Sequence, residues 1–108
     1  MKWPTYFGVA VGEFDEVWQR ARSWAENYGD GKFTVLTDSE ITAIKPPTKE
    51  SGSRTLRVTT SETFGGYRIS VEVIPHRREE KDAAIRAAHL LSYHIATGNP
   101  IPVENEGH

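Results

Sequence analysis

Four histidines, His76, His89, His94 and His108, are the side chains of this cysteine-free chain best suited to hold a metal or move a proton. Without thiolates, zinc would have to be bound by His, Asp and Glu alone. His89 and His94 are five residues apart, which places them about 140° apart around a helix, so they cannot grip one ion as an i, i+4 pair would. A site would need His76 to fold back onto a helical histidine with a carboxylate beside it. The expectation is flanking or solvated histidines and no metal.

The other reactive groups read the same way. The carboxylate pairs Asp15-Glu16 and Glu79-Glu80 each open a helical segment, where the helix dipole favours acidic side chains without any catalytic role. Ser39, Ser51, Ser53 and Ser61 lie in or beside turns, and none sits in a nucleophile-elbow pattern. Gly65-Gly66 is followed by a strand pattern rather than a helix, so it is a hairpin turn and not a phosphate cradle. No catalytic residue and no cofactor is therefore expected. An enzyme with a site assembled from distant residues is the third reading of the chain.

Binding chemistry has more to work with. Arg54, Arg57, Arg68, Arg77 and Arg78, interleaved with Tyr67, could meet phosphates. Leu36 and Ile44 would point out of a sheet if Phe33, Val35, Ile41 and Ala43 point in, and exposed apolar patches mark interfaces. Arg86, His89 and Tyr93 fall on the side of the last helix away from its alanine seam, with Ile85 at the margin. An outward aromatic beside arginine is the composition of an interface anchor.

These candidates depend on the elements that carry them. Phe14, Val17, Trp18, Ala21, Trp24, Ala25 and Tyr28 follow the i, i+3, i+4, i+7 spacing of one helix face, which predicts a helix over about 13–28 that closes a core. Gly29-Asp30-Gly31 should end it by supplying a left-handed residue. Before it, the aromatic and β-branched run 3–11 reads as a strand that Pro4 confines to a sheet edge. Lys32–Thr37 and Glu40–Lys45 read as a hairpin around Asp38-Ser39. Arg54–Ser61 and Tyr67–Ile74 alternate apolar and polar side chains. They fit a second hairpin in which Val58 faces Val71 and Arg57 faces Glu72. A last helix over about 78–97 should bury Ala84, Ala88, Leu91 and Ile95 and stop at Gly98. The order β-α-β-β-β-β-α predicts an α+β domain: an antiparallel sheet of four to five strands with both helices on one face. One domain is expected over residues 1–100, with a frayed tail at 101–108.

Composition narrows the partners. The 108 residues carry 13 basic and 15 acidic side chains, a net −2. No segment is extreme enough for a polyanion-binding arm or for mimicry of DNA by charge. No run approaches the length of a membrane span, and the first residues lack the apolar stretch of a secretion signal, so the expected setting is cytoplasmic with no membrane partner.

The helix–strands–helix portion resembles, in its order of elements, the double-stranded-RNA-binding domain. Lys81-Asp82-Ala83-Ala84-Ile85-Arg86-Ala87-Ala88-His89-Leu90-Leu91 is similar to that family's alanine-rich last helix. The resemblance implies contact between the start of that helix and phosphates. The family opens the helix with lysines, whereas this chain has Glu79-Glu80-Lys81 and extra strands. The expected function is therefore non-catalytic protein binding, as an adaptor or an occluding inhibitor, with a homodimer as a further expectation. RNA or DNA binding through the arginine-bearing sheet face is the alternative.

Overall fold

The computed structural model describes residues 3–101. Its five-stranded antiparallel sheet has the order β1-β5-β4-β3-β2, from Tyr6–Ala10 (β1), Val35–Leu36 (β2), Glu40–Lys45 (β3), Arg54–Thr63 (β4) and Gly66–Pro75 (β5). Helices α1 (Phe14–Tyr28) and α2 (Lys81–Thr97) pack on it, each entered through one 3-10 turn, Val11–Glu13 and Arg78–Glu80. This is the α+β arrangement expected from the pattern. No helix among the described residues is long and apolar enough to cross a membrane.

The central hairpin has the expected register. Val58 lies opposite Val71 and Arg57 opposite Glu72, and the ladder continues beyond the expected Ser61 and Tyr67, to Thr63 and Gly66 at a tight Phe64-Gly65 turn. The core side of the sheet is Ile41, Ala43, Leu56, Val58, Ile69, Val71 and Val73, and α2 meets it with Ala84, Ala88, Leu91 and Ile95.

Helix α1 does not bury the whole of its expected apolar stripe. Its buried residues are Val17, Ala21 and Ala25, while Phe14, Trp18, Trp24 and Tyr28 are half-buried around them. Small residues under the axis let the helix approach the sheet, and the large rings splay to either side. Phe14 stacks on Trp18 at 5.6 Å and meets Tyr67 of β5 at 4.1 Å.

Three segments correct the sequence-based boundaries. β1 is shorter than 3–11, because Trp3 leaves the sheet to pack on α2 and Val11 begins the 3-10 turn. β2 keeps only two residues of the expected Lys32–Thr37 strand. Thr34 N–H donates to the Thr42 carbonyl while Val35 pairs with Thr42, so two residues oppose one in a bulge. Ile101, expected in a frayed tail, packs against the core, and residues 102–108 of that tail lie outside the described residues.

The helix ends are built as anticipated, at Gly29-Asp30-Gly31 and at Gly98. Within Gly29-Asp30-Gly31, Asp30 takes a left-handed φ of 58° at C′ and Gly31 a φ of 85° after it. Gly31 N–H donates to Glu26 O at 2.7 Å, closing the 6→1 bond of a Schellman cap. Gly29 is needed for a different reason: a Cβ there would come within 2.9 Å of the Ala43 Cβ, where helix meets sheet.

Candidate functional site

All side chains on the outer face of the sheet follow from the register, because directly opposed residues share a face. The first row across β3, β4 and β5 is Ile44–Thr55–Ile74, and the next is Thr42–Arg57–Glu72. Then come Glu40–Thr59–Ser70 with Tyr6 of β1, and Ser61–Arg68 with Gly8. Both helices contact the opposite side, so no helix covers these rows. Tyr6 is 50% exposed, Ile44 43% and Ile74 38%.

The charges on this face are used within it. Arg57 sits 3.3 Å from Glu40 and 3.9 Å from Glu72, and the Arg68 guanidinium lies 4.3 Å from the centroid of the Tyr6 ring. Two arginines and two glutamates leave the face with no net charge. Thr42 Oγ1 donates to Glu40 at 2.8 Å, tying the second row to the third.

Ile44, Arg57 and Arg68 thus lie together on one exposed surface, as the alternation pattern implied. Leu36 does not join them. It is 42% exposed as expected, but its register partner is the core-facing Ile41, and Val35 takes the outer position beside Thr42. The bulge at Thr34-Val35 offsets the simple alternation from Phe33, which packs against the core. Ile74 and Tyr6 complete the apolar part of the face. Neither is among the sequence candidates: the alternation of Tyr67–Ile74 could have placed Ile74 outward, but it gains significance only beside Ile44, which lies 30 residues earlier in the chain.

The helical candidates are separated from this face. Arg86 is exposed on α2. His89 and Tyr93 are not a free anchor: Trp3 packs edge-on to Tyr93 with ring centroids 5.5 Å apart, and its carbonyl is bonded to His89 Nδ1. Tyr93 also accepts from Asn99 Nδ2 at 3.1 Å. Trp3 thus covers the helix side that sequence periodicity left open.

The histidines do not converge. His94 Nδ1 bonds the Asn99 carbonyl at 2.7 Å and its ring meets Trp24, while His108 lies outside the described residues. No cluster of metal-binding side chains occurs among the described residues. His76 forms a contact that spacing could not reveal, with Ser53 Oγ at 2.6 Å from Nδ1 and Thr55 Oγ1 at 2.8 Å from Nε2. A serine beside an imidazole is half of a nucleophile–base pair. Here the second ring nitrogen faces a neutral hydroxyl instead of an orienting carboxylate, and the group stands on an exposed strand end.

At the start of α2, Glu80 accepts from Gly52 N–H at 2.7 Å and from Arg54 Nε at 3.2 Å. The Gly52 donor, then Arg54 and Arg77, hold its carboxyl below the usual range against an opposing desolvation effect. This acidic knot occupies the place where the RNA-binding resemblance would put phosphate contacts, and it engages Arg54 and Arg77 internally. Beside it, Trp24, Tyr28, Lys45, Arg54, Leu91 and Ile101 line a cavity of about 390 Å³. Burial raises the Tyr28 phenol's pKa, with Arg54 opposing.

Compared with models of protein families, with curated proteins and with solved structures, the chain matches none of them.

Proposed function

We propose that this chain is a small non-catalytic protein-binding module, an adaptor or an inhibitor that occludes its partner, working through the outer face of its sheet. One observation carries the reading: Ile44, Ile74 and Tyr6 stand exposed on a face that no helix covers. Flat surfaces that mix apolar, aromatic and arginine side chains supply the anchors from which interfaces draw most of their energy. Internal pairing of Arg57 with Glu40 and Glu72 favours a protein over a polyanion, since a phosphate contact would first have to separate those ions.

Affinity capture from the native cell extract, with and without nuclease, tests the proposal. Protein partners should be retained after nuclease and lost from an Ile44→Glu/Ile74→Glu variant, while Arg86→Ala captures them normally. Tight, salt-sensitive retardation of mixed RNA and DNA in gels, abolished by replacing Arg57 and Arg68 together, would favour the nucleic-acid reading instead.

A further inference from the structure

We infer that the open edge of β1 pairs with the same edge of a second copy, in antiparallel register about Gly8, so that two sheets become one. This pairing does not depend on the outer face of the sheet; it follows from the backbone groups that β1 leaves unused. Val71 N–H donates to the Thr5 carbonyl at 2.8 Å, and Thr5 stands opposite Val71 in the register that continues through Phe7↔Ile69 and Val9↔Tyr67. Hydrogen-bonded pairs alternate along an antiparallel ladder, so Phe7 and Val9 aim their backbone at β5, while Tyr6 and Gly8 aim theirs away from it. No strand lies beyond β1 among the described residues.

The two sheet edges are treated differently. β2 is two residues long and bulged, both devices that block edge pairing. β1 has neither, and its sequence Tyr6-Phe7-Gly8-Val9-Ala10 contains no charge and no proline. Such an edge is a template for another strand.

A second copy fits better than an unrelated peptide because the edge is complementary to itself. With a two-fold axis at Gly8, that residue exchanges both backbone bonds with the partner's Gly8, and Ala10 N–H donates to the carbonyl of the partner's Tyr6. The large Tyr6 ring then faces the partner's Ala10, and Phe7 faces the partner's Val9, with no like charges opposed anywhere. A short edge buries far less than the roughly 1,200–2,000 Å² of a stable interface, so the dimer forms in the micromolar range rather than below it.

Sedimentation velocity on the full chain across micromolar concentrations should show a reversible monomer–dimer equilibrium. Ala10→Pro tests the bonding: Ala10 already has φ −68°, the proline value, so the fold accepts the ring while the edge loses its donor. Dimerisation should weaken at least tenfold. Gly8→Cys tests the register, since Gly8 has no left-handed φ and an added Cβ there meets nothing closer than 4.0 Å. In this cysteine-free chain it should form an intermolecular disulfide on mild oxidation, because directly opposed residues lie at disulfide distance. Phe64→Cys, at the remote hairpin turn, should not. A wild-type chain that stays monomeric throughout overturns the inference and leaves the edge for a foreign peptide. So does a folded Ala10→Pro variant that dimerises as tightly as wild type, or a Phe64→Cys variant that cross-links as fast as Gly8→Cys. Should Ala10→Pro fail to fold, the two cysteine variants decide alone.

Discussion

Arg20, in the middle of α1, donates its Nε to the carbonyl of Ile95 at 2.9 Å, in the last turn of α2. A second guanidinium nitrogen reaches the Ala96 carbonyl at 3.3 Å, and Glu16 holds the group from the other side at 3.5 Å. One helix thus supplies the cation that the other helix's C-terminus requires, and the two are locked in a fixed relation above the sheet. Gly98 belongs to the same arrangement. It has the left-handed φ of 78°, and a Cβ on it would press to 3.1 Å from the Arg20 guanidinium.

Arg20→Ala should therefore destabilise the fold by about 1–2 kcal/mol, because carbonyls at a helix end lose a charged donor. Arg20→Lys should recover part of that loss through charge alone, without the fork geometry. Urea unfolding of the three proteins at one pH makes the comparison, and equal midpoints for Arg20→Ala and wild type would contradict the clamp.

Trp3 and Tyr93 should show energetic coupling. An edge-to-face aromatic pair contributes about 0.5–1.5 kcal/mol beyond its burial, which a double-mutant cycle of Trp3→Ala and Tyr93→Ala can read. Additive losses would mean that Trp3 does not rest on α2.

Core and rim should separate sharply. Leu56→Ala or Ile95→Ala, each at a site closed to solvent, should cost about 2–5 kcal/mol. Phe64→Ala, at the tip of the central hairpin, should change stability by less than about 0.5 kcal/mol. Trp18→Ala and Trp24→Ala should fall between them, since both rings are half-buried. Thermal unfolding ranks the set, and a Trp18→Ala variant as damaged as Leu56→Ala would put Trp18 in the core after all.

Glu80 should make the fold acid-sensitive. Its carboxyl is held below its ordinary value by the Gly52 N–H, then by Arg54 and Arg77. A depressed folded value contributes stability that is present above the unfolded value and is lost as pH falls through the folded one. Unfolding midpoints measured between about pH 2 and pH 6 should thus fall more steeply for wild type than for Glu80→Gln, with the two curves converging at the acid end. Parallel curves would remove Glu80 from the acid response.

Tyr28 should act at the opposite end of the scale. Burial raises its phenol's pKa, so the neutral form is favoured in the folded chain. Its contribution is complete below the unfolded value of about 10 and is lost as pH rises through the folded one. The hydroxyl is buried with no hydrogen-bond partner among the described residues, so Tyr28→Phe should be neutral or slightly stabilising near pH 7. Ultraviolet titration of the phenolates should lose its latest-ionising component in that variant. A Tyr28→Phe chain markedly less stable at neutral pH would mean that the hydroxyl has a partner after all.

Much of this architecture was legible in residue order. The alternation of Leu56 and Val58 with Arg57, and of Ile69, Val71 and Val73 with Arg68 and Glu72, defined a two-faced hairpin, because side chains on a strand have a period of two. The same rule put Ile44, Arg57 and Arg68 on the wet side. Ala84, Ala88, Leu91 and Ile95 marked the buried line of α2 by their helical spacing. Local periodicity sufficed wherever one element faced one core.

Tertiary structure decided what periodicity cannot address. Trp3 covers Tyr93 and bonds His89, 86 residues away in the chain, and Arg20 caps α2 across a separation of 75, contacts that depend on how the layers stack and not on any local spacing. A single bulge at Thr34-Val35 reassigned Leu36 to the face of Ile41, because one extra residue reverses the parity of everything beyond it. The choice among α1's apolar residues was also made in three dimensions. Ala21 and Ala25 went beneath the helix and Trp18 and Trp24 to its flanks, since close approach to the sheet leaves room on the axis only for small side chains.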